Sequence, residues 1–167
     1  MKPLVSIVMG SDSELEVMRE AVKALQDFGI AHEIDITSAH RAPRKTSEFA
    51  RGAAERGIKV IIAGAGGAAH LAGVIAAEST LPVIGVPIPS SSLQGMDSLL
   101  ATVQMPAGIP VATVAIGKAG ATNAGILAAQ ILALSDPKIA AKMEEHKQKL
   151  AEGVEDKSRK LRAETML

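Results

Sequence analysis

Ile58-Lys59-Val60-Ile61-Ile62-Ala63-Gly64-Ala65-Gly66-Gly67-Ala68-Ala69-His70-Leu71 reads as a strand, a glycine-rich turn and the opening of a helix. The run Val60 to Ala63 is short, apolar and rich in β-branched residues, with no polar residue in its alternation. A strand of that kind is covered on both faces, as in a parallel sheet packed between helices. The small residues after it predict a helix through Ala68 to Ala77.

The same unit recurs on either side. Leu4 to Met9, Ala31 to Thr37, Val83 to Val86 and Val111 to Ile116 read as further strands, each followed by a loop and most by a helical pattern. Four of the five runs are apolar on both faces, whereas Glu33 and Asp35 mark the second as an edge strand. The alternation predicts an α/β fold, a three-layer doubly wound parallel sheet of flavodoxin-like order with an extra C-terminal helix. Leu15, Met18, Val22 and Leu25 recur at three- and four-residue steps, with Gly29 as a left-handed stop. A second helix is expected from Pro43 to Gly57. The segment Ala119 to Leu134 is small or apolar nearly all round, which predicts a helix buried on more than one side, a subunit neighbour being one source of cover.

From Asp136-Pro137 onward, Ile139, Met143, Leu150, Val154 and Leu161 form a narrow apolar stripe on an otherwise charged helix. No internal repeat or low-complexity linker divides the chain. A single catalytic domain over 1–167 is expected, in which 136–167 is a C-terminal helix packing on a neighbouring surface, its own or a partner's.

Composition excludes several classes of function. Eighteen basic and eighteen acidic residues balance, so no overall field recruits nucleic acid or an anionic membrane. Cysteine is absent, which removes disulfides, thiolate nucleophiles and Cys-ligated metals. Trp and Tyr are absent and only Phe28 and Phe49 are aromatic, so aromatic stacking is not the binding strategy. The N-terminus carries no signal-like segment and the apolar stretches are far shorter than a membrane span, which makes the cytoplasm the expected location.

In an open parallel sheet, ligands bind where strands end and helices begin. Gly10 to Glu14, Ser38 to Pro43, Gly64 to His70, Pro87 to Asp97 and Gly117 to Gly120 follow the five strands and should line one rim. Ser11 and Ser13 offer hydroxyls beside a helix start, and Arg41 offers a bidentate fork, a combination that suits a phosphate. Ser11-x-x-Glu14 equally fits a capping box that merely satisfies the helix start, and the two readings are compatible. His40 is the best placed of four histidines for proton transfer, with neither Cys nor a second His beside it to suggest a metal, although a loop histidine taken alone is more often a solvated or hydrogen-bonded side chain. His70 sits among small residues at a helix start, where a structural hydrogen bond is expected. Gly64-x-Gly66-x-x-Ala69 superficially matches a dinucleotide fingerprint but lacks the acidic residue that would hold a ribose, so it reads as close backbone approach to a ligand or tight packing.

Taken together, these loops resemble class I N5-carboxyaminoimidazole ribonucleotide mutases, the PurE family of purine biosynthesis. The resemblance rests on Met9-Gly10-Ser11-Asp12-Ser13, Ser38-Ala39-His40-Arg41, Ile61 to Leu71, Gly95-x-Asp97-Ser98-Leu99, Val103-Gln104-Met105-Pro106 and Ala115 to Gly120, and spans residues 4 to about 134. It implies transfer of a carboxylate from the exocyclic nitrogen to C4 of an aminoimidazole ribonucleotide, without ATP, metal or other cofactor. It implies His40 as the proton carrier and Ser11, Ser13, Ser38 and Arg41 as holders of the phosphate. Glu14 stands where the family usually has an Asp that binds the ribose, so either the ribose shifts or the contact passes to water, and the capping role gains weight. Gly64, Ala65, Gly66, Gly67, Ala68 and Ala69 would approach the base and the migrating carboxylate. Gly10, Asp12, Ala39, His70 and Leu71 complete the implied substrate-binding set. Ala42 and Ala72 replace the Thr and Pro common in the family. The resemblance further implies a homo-octamer with sites completed between subunits.

Two alternatives are weighed. Class II relatives carboxylate aminoimidazole ribonucleotide directly with CO2, but Arg41 and the Gly66 to His70 string follow the class I pattern. A non-catalytic nucleotide-binding or signalling module would want an aromatic flavin partner or an acidic phosphoacceptor after the third strand, where Ala63-Gly64 stand.

Overall fold

A computed structural model describes residues 2–90 and 92–165. Ser91 of the loop after the fourth strand and Met166 and Leu167 of the 136–167 segment lie outside the described residues, as does Met1. The elements run β1 (Val5–Met9), α1 (Leu15–Asp27), β2 (His32–Ile36), α2 (Pro43–Gly52), β3 (Val60–Gly66), α3 (Leu71–Glu78), β4 (Val83–Ile88), α4 (Met96–Val103), β5 (Ala112–Thr113), α5 (Gly117–Ala133) and α6 (Pro137–Thr165). A single turn of 3-10 helix, Asp12–Glu14, precedes α1.

The five strands form one parallel sheet in the order β2-β1-β3-β4-β5, the flavodoxin-like order expected from the sequence. Side chains alternate between two cores. Val5, Ile7, Met9, Val60 and Ile62 face one core with Met18 and Leu25 of α1 and Ala121, Ala124 and Ala128 of α5. Val8, Ile61 and Ala63 face the other with Phe49 of α2 and Leu71, Ala72 and Ile75 of α3. Hence the interior strands have no polar face. As the charges predicted, β2 is an edge, and those charges are occupied: Glu33 accepts from Ser6 Oγ at 2.9 Å and from Arg56 Nη2 at 3.0 Å, and Asp35 pairs with Lys45.

Several boundaries differ from the sequence reading, each for a local reason. β3 continues past Ala63 to Gly66 because its pairing with β4 persists through Gly64↔Val86, Ala65↔Pro87 and Gly66↔Ile88. At Gly64 a Cβ would lie 2.4 Å from Met18 Sδ, so the glycine serves packing of α1 on the sheet. β5 shrinks to two paired residues, Ile84↔Ala112 and Gly85↔Thr113, before the chain turns into α5. The α2 helix stops at Gly52, and the chain reaches Gly57 through turns closed by Gly57 N donating to Ala54 O and Ile58 N to Ala53 O. The third helix begins at Leu71, since Gly67 and Ala69 adopt positive φ that no helix accommodates. The α4 helix was not foreseen.

Helix α1 ends as expected, with Gly29 N bonding Gln26 O and Ile30 N bonding Leu25 O, a Schellman closure around the left-handed Gly29. The small-residue helix α5 is buried along Gly117, Gly120, Ala121, Ala124, Gly125, Ala128, Ala129 and Leu132. Within the chain its cover comes from α1, β4 and α6. Only the start of α6 docks on the body: Ile139 is buried, Met143 packs beside it, and Lys142 Nζ donates to Phe28 O at 3.0 Å. Leu150, Val154 and Leu161 of its apolar stripe are 55%, 67% and 61% exposed. Among the described residues no helix is long and apolar enough to cross a membrane.

Candidate active site

In this strand order the connections leave β1 toward β2 on one side and continue through β3 on the other, so a crevice opens outside the carboxyl ends of β1 and β3. The loops after β1, β2 and β3 meet there. Although β2 and β3 are not neighbours in the sheet, their loops converge over the end of β1. His40 Nε2 lies 2.7 Å from His70 Nδ1, with the rings edge to face at a centroid distance of 4.8 Å. One of the two nitrogens donates and the other accepts, so the contact holds a single shared hydrogen between two imidazoles. Both rings are exposed at the rim.

Beside the pair lies a hydroxyl and guanidinium cluster. Arg41 Nη2 donates to Gly10 O at 2.6 Å, and Arg41 Nε and backbone N both reach Ser38 Oγ, at 3.4 and 3.2 Å. Ser13 Oγ donates to Ser11 Oγ at 3.0 Å, and Ser11 Oγ donates to Asp12 Oδ1 at 3.1 Å. The loop after β1 and the loop after β2 are therefore joined through Arg41, with Ser38 bonded to the guanidinium and Ser11 and Ser13 next along the chain from Gly10. Such an arrangement suits an oxyanion with several acceptor oxygens.

Glu14 forms the expected capping box of the first loop. Its side chain is buried, 7% exposed, and completes the capping box with Ser11. Its Oε2 accepts from Gly10 N at 2.7 Å and Ser11 N at 3.2 Å, and its Oε1 accepts from Gly66 N at 2.9 Å. Those two amides of the loop are thus already engaged, which leaves the hydroxyls and Arg41 as the groups that face outward.

The predicted residues divide accordingly. Gly10, Ser11, Asp12, Ser13, Ser38, Ala39, His40, Arg41 and His70 come together at the rim. Ala65 and Gly66 lie in the partly buried end of β3, and Gly67 and Ala68 form the turn above it. Ala69 is buried and held at φ 43, a strained value for a residue with a Cβ. Gly64 packs against Met18 and Leu71 is buried in the core beneath α3, so neither presents a side chain to the rim. The His40–His70 contact is the feature that sequence reasoning missed, and no spacing rule signals a pair thirty residues apart on loops of non-adjacent strands. The Gly117 to Gly120 stretch expected as a loop is instead the first turn of α5, and there Lys118 is turned to Glu16 Oε1 at 2.5 Å, so that each holds the other charged: the Glu16 carboxyl lies below its ordinary value, chiefly through the Lys118 hydrogen bond, and the Lys118 ammonium above its own. Among the described residues no three His, Asp or Glu side chains cluster as a metal site.

A doubly wound parallel sheet carrying paired imidazoles and a serine–arginine cluster at its switch point defines a flavodoxin-like α/β protein with an enzyme-like rim. A family model described as AIR carboxylase matches residues 4–153. The chain belongs to that family. It is 56% identical over 160 residues to the N5-carboxyaminoimidazole ribonucleotide mutase of Pyrococcus horikoshii, covering 96% of this chain and 89% of that one. It is 55% identical over 161 residues to the enzyme of the same name from Bacillus subtilis, covering 96% and 99%. Among solved structures, Treponema denticola PurE superposes with a TM-score of 0.85 at 31% identity over 95% of this chain and 98% of that one.

Proposed function

We propose that this chain is an isomerase that converts N5-carboxyaminoimidazole ribonucleotide to 4-carboxy-5-aminoimidazole ribonucleotide in de novo purine biosynthesis. The observation that carries the reading is the His40–His70 contact of 2.7 Å set beside the Ser11, Ser13, Ser38 and Arg41 cluster. The cluster would hold the 5′-phosphate. With the phosphate fixed there, the base would reach toward the imidazoles and the Gly66–Ala68 turn.

The reaction breaks the N–C bond of the carbamate, leaving the electron pair on the amino nitrogen and releasing CO2. The nitrogen takes up one proton. The electron-rich C4 then attacks CO2, forming the new C–C bond, and C4 gives up its proton. One proton is delivered and one is removed, so a single imidazole serves as acid and then as base, and a second imidazole in hydrogen-bond contact supplies a place to hold the proton between steps. Keeping CO2 enclosed beside C4 converts recapture into an effectively unimolecular step.

Self-association to a homo-octamer is part of the proposal. The exposed apolar residues Met96, Leu100 and Val103 on α4 and Leu150, Val154 and Leu161 on α6 favour it, and sedimentation of the full chain tests it. A cytoplasmic location belongs to the same reading, because a charged nucleotide does not cross a bilayer unaided. No cofactor enters the scheme.

Replacing His40 by Asn is the test. Product formation from the carbamate should fall by at least 10²-fold, the usual contribution of a positioned proton carrier, while nucleotide binding persists. Turnover within a few-fold of the parent would retire His40 as the proton carrier. Product from aminoimidazole ribonucleotide plus bicarbonate, with none from the carbamate, would replace the mutase reading by direct carboxylation.

A further inference from the structure

Glu14 is nine-tenths buried and has no part in the proton transfers, yet its carboxylate joins two of the three loops of the site. Oε2 takes the N–H groups of Gly10 and Ser11 after β1, and Oε1 takes the N–H of Gly66 at the end of β3. A capping box accounts for the first oxygen only. The second bonds a residue fifty-two positions away, four before His70. From Gly10 the connection continues, since Gly10 O accepts from Arg41 Nη2, and Arg41 adjoins His40, which touches His70. The circuit closes: carboxylate, β3 end, histidine pair, guanidinium, β1 loop, carboxylate.

We infer that Glu14 is a positioning residue, which fixes the distance between the phosphate-holding hydroxyls and the histidine pair by clamping the β1 loop to the end of β3. The inference rests on the mutase reading for its kinetic readout. Three backbone donors on one buried carboxylate are charge-assisted bonds in a partly desolvated setting, stiffer than loop contacts made through water. A nucleotide bound at its phosphate by one loop and reacting at its base beside another is sensitive to their separation, and a misplacement of about 1 Å costs on the order of 10²-fold in rate.

The test is Glu14→Gln in the full chain, which preserves volume but turns one acceptor oxygen into a donor facing a backbone N–H. The expected result is a fall in kcat of about 10- to 100-fold, in line with that sensitivity, with KM and the dissociation constant for product nucleotide changed by less than about threefold. Glu14→Asp keeps both acceptor oxygens on a shorter stem and should recover part of the loss. The same factor should appear with the 2′-deoxyribonucleotide substrate. A loss that vanishes with that substrate, or a rise in KM that matches the fall in kcat, would make Glu14 a ribose contact and overturn the inference. So would an unchanged kcat in folded Glu14→Gln.

Amide hydrogen exchange in the unaltered protein supplies a readout independent of activity and of whether any variant folds. Gly10, Ser11 and Gly66 should be protected together, and rapid exchange at Gly66 alone would refute the clamp. Protected amides in a protein that fails to isomerise the carbamate would instead fault the proposed reaction and leave the clamp standing.

Discussion

Gly125 on α5 meets α1 so closely that an ideal Cβ placed there would lie 2.7 Å from Ala24 Cβ and 2.9 Å from the carbonyl oxygen of Ala21. Both obstacles belong to the facing helix or its shortest side chain, so neither can rotate aside. Gly125→Ala therefore forces α1 and α5 apart, an overpacking strain of about 2–3 kcal/mol, at the upper part of the usual range because backbone must move. Alanine returns about 1 kcal/mol through its better helix propensity. The net expectation is a destabilisation of about 1–2 kcal/mol, which for a chain of this size lowers Tm by about 2–8 °C. Gly153 on α6 provides the matching control, since a Cβ there meets nothing within 4 Å. Gly153→Ala should keep only the propensity gain of about 1 kcal/mol and melt about 2–4 °C higher. Calorimetry of the three proteins at one protein concentration, to hold assembly constant, reads the difference. A Gly125→Ala protein that melts at or above the parent would refute the close-packed reading of α1 against α5. The seam also matters for the site, because α1 follows directly on the Ser11–Glu14 loop.

Two further outcomes follow from the rim. Arg41→Ala should raise KM by about 10- to 100-fold, the worth of charge-assisted bonds to a phosphate, with a smaller effect on kcat; substrate titration separates the two, and an unchanged KM would remove Arg41 from the phosphate site. The Glu16–Lys118 pair has a defined pH window. The Glu16 carboxyl is lowered from 4.5, so its contribution to stability is present above that value and is lost as the pH falls through the lowered folded value. Lys118 is raised from 10.5, so its contribution is full below that value and is lost as the pH climbs through the raised one. Both side chains are exposed, so Lys118→Met should shift Tm only slightly at pH 7, and that shift should shrink as acidification passes the lowered Glu16 value; a difference that stays constant down the acid limb would show that Lys118 acts through packing and not through its charge.

The sheet was legible because burial leaves a mark in every residue of a strand. Val60 to Ala63 has no polar position since helices lie on both sides of it, and Glu33 and Asp35 betray β2 because an edge strand reaches water. Strand ends were less legible: β3 persists through Gly64 and Gly66 because its partner β4 supplies hydrogen bonds there, a fact held in Val86 to Ile88 and not in the glycines. Helix α4 escaped notice because it is only eight residues long and starts after Gly95 in a left-handed conformation, with no side-chain cap to announce it. At the site, each loop was identifiable from its place after a strand, and Ser11-x-x-Glu14 declared its capping box. What no local pattern encodes is convergence. The Gly66 bond to Glu14 and the His40–His70 contact join residues fifty-two and thirty positions apart, and both exist because β1 lies between β2 and β3.

Helix α6 has twenty-nine residues, a rise of about 43 Å at 1.5 Å per residue. Past His146, whose ring meets Phe28 edge to face, the apolar residues Leu150, Val154 and Leu161 of this helix are exposed. Most helical stability in proteins comes from packing of an apolar face, and the distal half of α6 leaves its apolar stripe uncovered by the described residues of its own chain. On the proposed self-association, dilution that separates the copies should cost far-ultraviolet ellipticity as well as mass, with the loss confined to this arm while the sheet stays folded.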